Sequence, residues 1–125
     1  MRDTPGIVSV YLFGSLAVGR GHAGSDVDLG IVLDRRDWPT AASRVDLRLS
    51  LFPVLRAALK RDIDLVVLND APPEFARRVM MDGRRLLLRD EEADRSYRRV
   101  TLSRAADLQP FLRRTRAVKL RSLAS

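Results

Sequence analysis

Asp26 and Asp28 stand one residue apart in Ser25-Asp26-Val27-Asp28-Leu29, and Gly14-Ser15 lies ten residues ahead of Ser25. Alternate residues of a strand point to the same face, so an extended segment from Asp26 to Leu33 projects both carboxylates together from its start. Two carboxylates aimed at one point need a cation. Magnesium takes hard oxygen donors: two or three protein carboxylates, with phosphate oxygens and water completing an octahedron at about 2.0 to 2.1 Å. A glycine that lets the backbone approach closely, followed by a serine hydroxyl and amides at a helix start, suits the phosphates of a nucleotide. The spacing predicts metal-assisted chemistry on a nucleotide.

A third carboxylate has to come from a neighbouring strand. Asp64, heading Asp64-Leu65-Val66-Val67-Leu68, is the natural candidate, and Asp62, of the same parity, competes with it. In a two-ion arrangement, with the ions about 3.5 to 4 Å apart, one ion activates an incoming hydroxyl and the other steadies the leaving oxygen of an in-line displacement. Asp64, touching only the nucleophile-side ion, would accept the hydroxyl proton. Taken alone, Asp-Val-Asp is more often a solvated strand end and Gly-Ser a plain turn. Jointly, Gly14, Ser15, Gly19, Ser25, Asp26 and Asp28 fix six residue types. At roughly 5 to 7 per cent per type the chance of that pattern in so short a chain is on the order of one in ten thousand, and the chemical reading wins.

These residues need a scaffold. Ile7 to Phe13 is β-branched and aromatic and ends at Gly14, which predicts a buried strand closing at a turn. Ser15 then caps a short helix to about Gly19, Arg20 to Gly24 is a loop, and Asp26 to Leu33 is the second strand. In residues 40–60, Val45, Leu49, Phe52, Leu55 and Leu59 fit a helical stripe, while Val45, Leu47, Leu49 and Leu51 also fit strand alternation. Helix is the expectation, with a break or kink at Pro53. Ile63 to Leu68 predicts a third strand, Glu74 to Met81 a helix stopped by Asp82-Gly83, and Arg84 to Arg89 a short edge strand. Glu91 and Glu92 favour a helix N-terminus, and a long helix follows with Tyr97, Val100, Leu108, Phe111 and Val118 on its stripe. Pro110 is expected to kink or split it near Leu108. Tyr97 and Val100 are expected to cover the core. Phe111, Leu112, Val118 and Leu120, past the expected end of the sheet, serve either that role or docking against a helical partner.

Composition narrows the class. The 125 residues fit one domain, 1–125, that can bury a core. The chain carries 23 basic against 16 acidic residues, a formal charge of +7, and Lys60 and Lys119 are its only lysines. Guanidinium suits phosphate contacts, but an arginine-biased surface explains the charge equally well, and no aromatic platform for stacking single-stranded nucleic acid is visible. With no cysteine, disulfides, thiolate metal sites and a cysteine nucleophile are excluded, and a reducing, cytoplasmic setting is expected. His22 is the only histidine, which argues against zinc and places it on the surface. Ile7 to Val18 is too short to span a bilayer and lacks the basic cluster of a signal peptide.

Gly14-Ser15-x-x-x-Gly19, then Ser25-Asp26-x-Asp28-Leu29, resembles the motif of the polymerase-beta-like nucleotidyltransferases. The small size and Ile63-Asp64-Leu65-Val66-Val67-Leu68 are similar to the minimal nucleotidyltransferase antitoxins that pair with HEPN-domain ribonuclease toxins. The likeness covers roughly residues 7–90. It implies an α/β (α+β) fold, a mixed sheet of about four strands flanked by helices with a long C-terminal helix. It implies Asp26, Asp28 and Asp64 as catalytic metal ligands, for two magnesium ions or manganese, and Gly14, Ser15 and Ser25 as nucleotide contacts. The implied reaction moves AMP from ATP to a hydroxyl, typically a tyrosine of the toxin, and silences it. The chain departs from the family in starting only a few residues before its first strand, where relatives often carry a helix. It also has Leu16-Ala17-Val18 where relatives commonly place arginine, so Arg20 is the candidate replacement. Competing readings are an antitoxin that acts by binding alone, and transfer to a small molecule such as an aminoglycoside, for which little chain remains to build an acceptor domain. A further one is RNA binding through the arginine-rich end.

Overall fold

The computed structural model of the chain describes residues 4–14, 19 and 26–124, with side chains described to residue 107. Ile7–Phe13 is β1 and Val27–Leu33 is β2. They pair antiparallel, from Ile7 opposite Leu33 to Phe13 opposite Asp28. A register shift between Ile7 and Ser9 inserts one extra residue in β1, so Ile7 and Val10 face one core while Val8 and Tyr11 face the other. Ile63–Val67 forms β3, parallel to β2, and Arg84–Leu88 forms β4, antiparallel to β1. The order β3-β2-β1-β4 makes a mixed sheet with β3 and β4 at its edges.

A parallel pair needs a long crossover, supplied by α1, Ala41–Leu59. Thr40 and Ser43 start it with a reciprocal capping box, each side chain accepting from the other residue's backbone N–H. Lys60 ends it in the left-handed conformation with φ 54°. Leu47, Leu51 and Leu55 pack on Ile31 and Leu65 across one face of the sheet. The other face is covered by α2, Pro73–Asp82, and α3, Glu91–Ala124, with Ala76, Val79 and Met80 against Val8, Tyr11 and Val32.

Four expectations change. Of the two residues of α3 expected to cover the core, Tyr97 packs against it but Val100 is 45% exposed. Helix α1 runs unbroken through Pro53, which is exposed, so the carbonyl it frees one turn back is open to water. Its core face is Arg44, Leu47, Leu51 and Leu55 rather than the stripe of Val45, Leu49, Phe52, Leu55 and Leu59, of which only Leu55 is fully buried. An arginine can occupy that face because its guanidinium is satisfied: Arg44 donates to both Asp70 oxygens at 2.8 and 2.9 Å and to the Trp38 carbonyl at 2.8 Å. Helix α3 likewise continues through Pro110 as one helix.

Asp94, in the first turn of α3 and 1% exposed, ties that helix to the sheet. It accepts from Ser9 Oγ at 2.5 Å, from the Tyr11 hydroxyl at 2.8 and 3.0 Å, and from Arg85 Nη1 at 3.1 Å.

Candidate functional site

Pairing alone brings the singled-out residues to one end of the sheet. Phe13 lies opposite Asp28, and Asp28 opposite Asp64, so Gly14, Asp28 and Asp64 line up across three adjacent strands. Val27, Leu29, Ile63 and Leu65 belong to the core beneath α1, so alternation sends Asp28 and Asp64 to the other face. There Asp28 is half-buried and Asp64 exposed. Asp26, immediately before β2, shares their parity and is exposed.

Asp62 is drawn elsewhere. Its carbonyl accepts from the Val27 N–H at 2.9 Å, while its carboxylate lies 3.3 Å from Arg56 Nη2. Of the two competitors, Asp64 is the one whose charge reaches Asp28.

The Asp28 carboxyl is pushed above the usual carboxylate range, first by burial, then by the negative charges of Asp64 and Asp26. Gly14, at φ +76°, sits directly beneath this carboxylate, and a Cβ there would overlap Asp28 Oδ2. Glycine is therefore required twice, for backbone conformation and for room. Gly83 plays a related part at the entry to β4, where a Cβ would overlap the carbonyls of Val79 and Leu12, so α2 can end hard against β1.

Among the described residues, no three acidic or histidine side chains are gathered tightly enough to hold an ion. Asp26 and Asp64 lie near enough for their charges to act on Asp28. The donor set is nonetheless all carboxylate oxygen, which fits a hard divalent cation, and such a charge would relieve the repulsion that raises Asp28. Ser15, Arg20, His22 and Ser25 lie outside the described residues.

Sequence reasoning missed the ground on the β4 side of Gly14. A cavity of about 260 Å³ opens there, lined by Phe13, Gly14, Phe75, Arg78, Val79, Asp82 and Gly83, with Phe13 and Phe75 edge to face at 5.5 Å. Nothing in the motif spacing signals it, because Phe75 and Arg78 belong to α2 and reach Gly14 only through the Gly83 contact. A larger cavity, about 420 Å³, lies by Leu33, Asn69, Tyr97 and Arg104. That is the far end of β2, about 16 Å of strand from Asp28, too distant to share its chemistry.

The family described as Polymerase beta, Nucleotidyltransferase matches residues 1–92. The chain belongs to this nucleotidyltransferase family. Among curated proteins, the chain is 34% identical over 89 residues to a protein adenylyltransferase, MntA, of Shewanella oneidensis. That alignment covers 69% of the chain but 58% of the relative, so the chain spans under two thirds of its length. A crystal structure of a toxin–antitoxin with AMP-PNP contains a chain 25% identical, with a TM-score of 0.70, aligned over 99% of the present chain and 91% of that chain. A structure of a tri-AMPylated Shewanella oneidensis HEPN toxin in complex with MNT antitoxin matches in fold, with 24% identity and a TM-score of 0.64 over 100% and 90% of the two chains. The mixed sheet and long C-terminal helix are thus those of the family. Among the described residues no helix is long and apolar enough to cross a membrane.

Proposed function

We propose that this chain, acting as one nucleotidyltransferase domain over residues 1–125, transfers AMP from ATP to a tyrosine hydroxyl of a HEPN-type toxin in the cytoplasm and so silences it. The observation that carries this reading is the row Gly14, Asp28, Asp64, with Asp26 one step before it, at the open end of the sheet. The likeness to a protein adenylyltransferase and to a toxin–antitoxin with an ATP analogue supports the donor and the partner.

Asp26, Asp28 and Asp64 would hold the magnesium or manganese ions. Such ions supply positive charge to phosphate oxygens and lower the pKa of a bound hydroxyl. Gly14 admits the triphosphate to the backbone, and Ser15 and Ser25 donate to its oxygens. The acceptor oxygen forms a bond to the α-phosphorus as the α–β anhydride bond breaks, pyrophosphate leaves, and Asp64 takes the hydroxyl proton.

The test is transfer of label from α-labelled ATP to the toxin. It should require magnesium and vanish in Asp26→Ala and in Asp28→Ala; label retained in both removes the reading. If the doubly substituted protein still neutralises the toxin at equal expression, binding alone suffices and catalysis is not the means of silencing.

A further inference from the structure

Helix α1 has two apolar faces, and the sheet covers one. Val45, Leu49, Phe52 and Leu59, with Arg56 between the last two, recur at spacings of four, three, four and three residues. That is the 3.5-residue seam of a coiled coil, displaced about a third of a turn from the Leu47–Leu51–Leu55 face. Val45 is 47% exposed, Leu49 61% and Leu59 44%, while Phe52 is half-buried. With Val54, α1 holds four of the eight exposed large apolar side chains among the described residues, so the apolar surface is concentrated on one element. A helix apolar on two sides is ordinarily covered on both.

Position and charge say what covers it. Arg48, beside the seam, donates through Nε to the carbonyl of Leu65, and Arg56 reaches Asp62, so the seam lies on the β3 side of the sheet. Its Leu59 end comes just before Ile63 and Asp64, at the carboxylate end, and the seam extends about 21 Å from there. Arg56 in mid-seam is 61% exposed in its side chain, and its Asp62 partner is 74% exposed. So exposed a pair is easily exchanged for another carboxylate. With Arg48 and Lys60 alongside, the seam suits an acidic partner.

We infer that this seam is the docking ridge for an amphipathic helix of the acceptor protein, one that sets apolar residues against Val45, Leu49, Phe52 and Leu59 and a carboxylate against Arg56. Docked there, the acceptor lies on the α1 side of the sheet beside the edge strand β3, and the segment following its helix passes round that edge to reach the carboxylates on the opposite face. This assignment rests on the proposed adenylylation for the identity of the acceptor.

Leu49→Asp, Arg56→Glu and Arg56→Lys test it, with affinity for the HEPN-type toxin measured by calorimetry beside melting temperature and magnesium-dependent ATP binding. Leu49→Asp and Arg56→Glu should weaken toxin binding at least about tenfold while melting and ATP binding stay at wild-type values. Arg56→Lys should restore affinity, and label transfer by Leu49→Asp should recover at high toxin concentration. Wild-type toxin affinity in both weakened variants overturns the ridge and leaves the adenylylation reading standing. Self-association of the wild type that Leu49→Asp abolishes, with toxin affinity unchanged, overturns it in favour of a second copy as occupant. Toxin binding that depends on Leu49 without any AMP transfer would instead sink the enzymatic reading and keep the ridge.

Discussion

Ionised Asp28 works against the fold, since its half-buried carboxylate sits above Gly14 and within reach of two like charges. Its raised pKa means the native state binds a proton more tightly than the unfolded chain, so stability falls as pH rises from about 4 through the raised value and stays lower above it. Asp28→Asn should accordingly raise the melting temperature near pH 7, with the gain disappearing near pH 3, where both states are protonated. A divalent cation reverses the order, because binding to the native state alone adds stability by mass action. Millimolar magnesium should raise the melting temperature of the wild type more than that of Asp28→Asn. Thermal melts with and without magnesium check both halves. Equal magnesium shifts in the two proteins would mean that Asp28 does not hold the ion.

The elements carrying the carboxylates were legible because strand alternation needs only local sequence: Ile7–Phe13 is the strand expected, and β2 and β3 begin within a residue of where the aspartates predict. The sequence favoured Asp64 without excluding Asp62, since both share parity; what separates them is the register that sets Asp64 opposite Asp28 and the pairing of Asp62 with Arg56. Helix α1 was found but rotated, because its outward stripe is as apolar as its inward one and the burial of Arg44 depends on Asp70, 26 residues away. The Asp94 cluster was invisible for the same reason, its partners Ser9 and Tyr11 being more than 80 residues distant. That cluster gives α3 its hold on the sheet. Asp94→Ala leaves the Ser9 and Tyr11 hydroxyls without their buried acceptor and should cost about 3 kcal/mol, against about 1 kcal/mol for Tyr11→Phe, which removes one donor. Urea denaturation of the two variants measures the difference; similar losses would place the burden on Tyr11 instead.

For the molecule as a whole, stability is bounded in pH from both sides, by a local turn pair and by groups that join α1 and α3 to the segment after β3. On the acid side, Arg36 holds the Asp34 carboxyl, and Arg44 the Asp70 carboxyl, below the usual range. Their contribution is present above about pH 4 and lost as pH falls through the depressed values. On the alkaline side stands Tyr97, where α3 meets the short 3-10 turn Leu68–Asp70, its hydroxyl donating to the Leu68 carbonyl at 2.5 Å. Burial pushes its pKa up to about 12, so the native state keeps a proton that the unfolded chain releases near pH 10. Stability is whole below pH 10 and declines between 10 and about 12, by about 2 to 3 kcal/mol. Tyr97→Phe should give up about 1 kcal/mol at pH 7 with the lost hydrogen bond, yet show a flatter decline above pH 10, so the two stability curves converge or cross there. Urea midpoints measured from pH 7 to 11.5 decide it. Curves that stay parallel would mean that Tyr97 does not set the alkaline limit and that another buried group, Tyr11 first among them, carries the linkage.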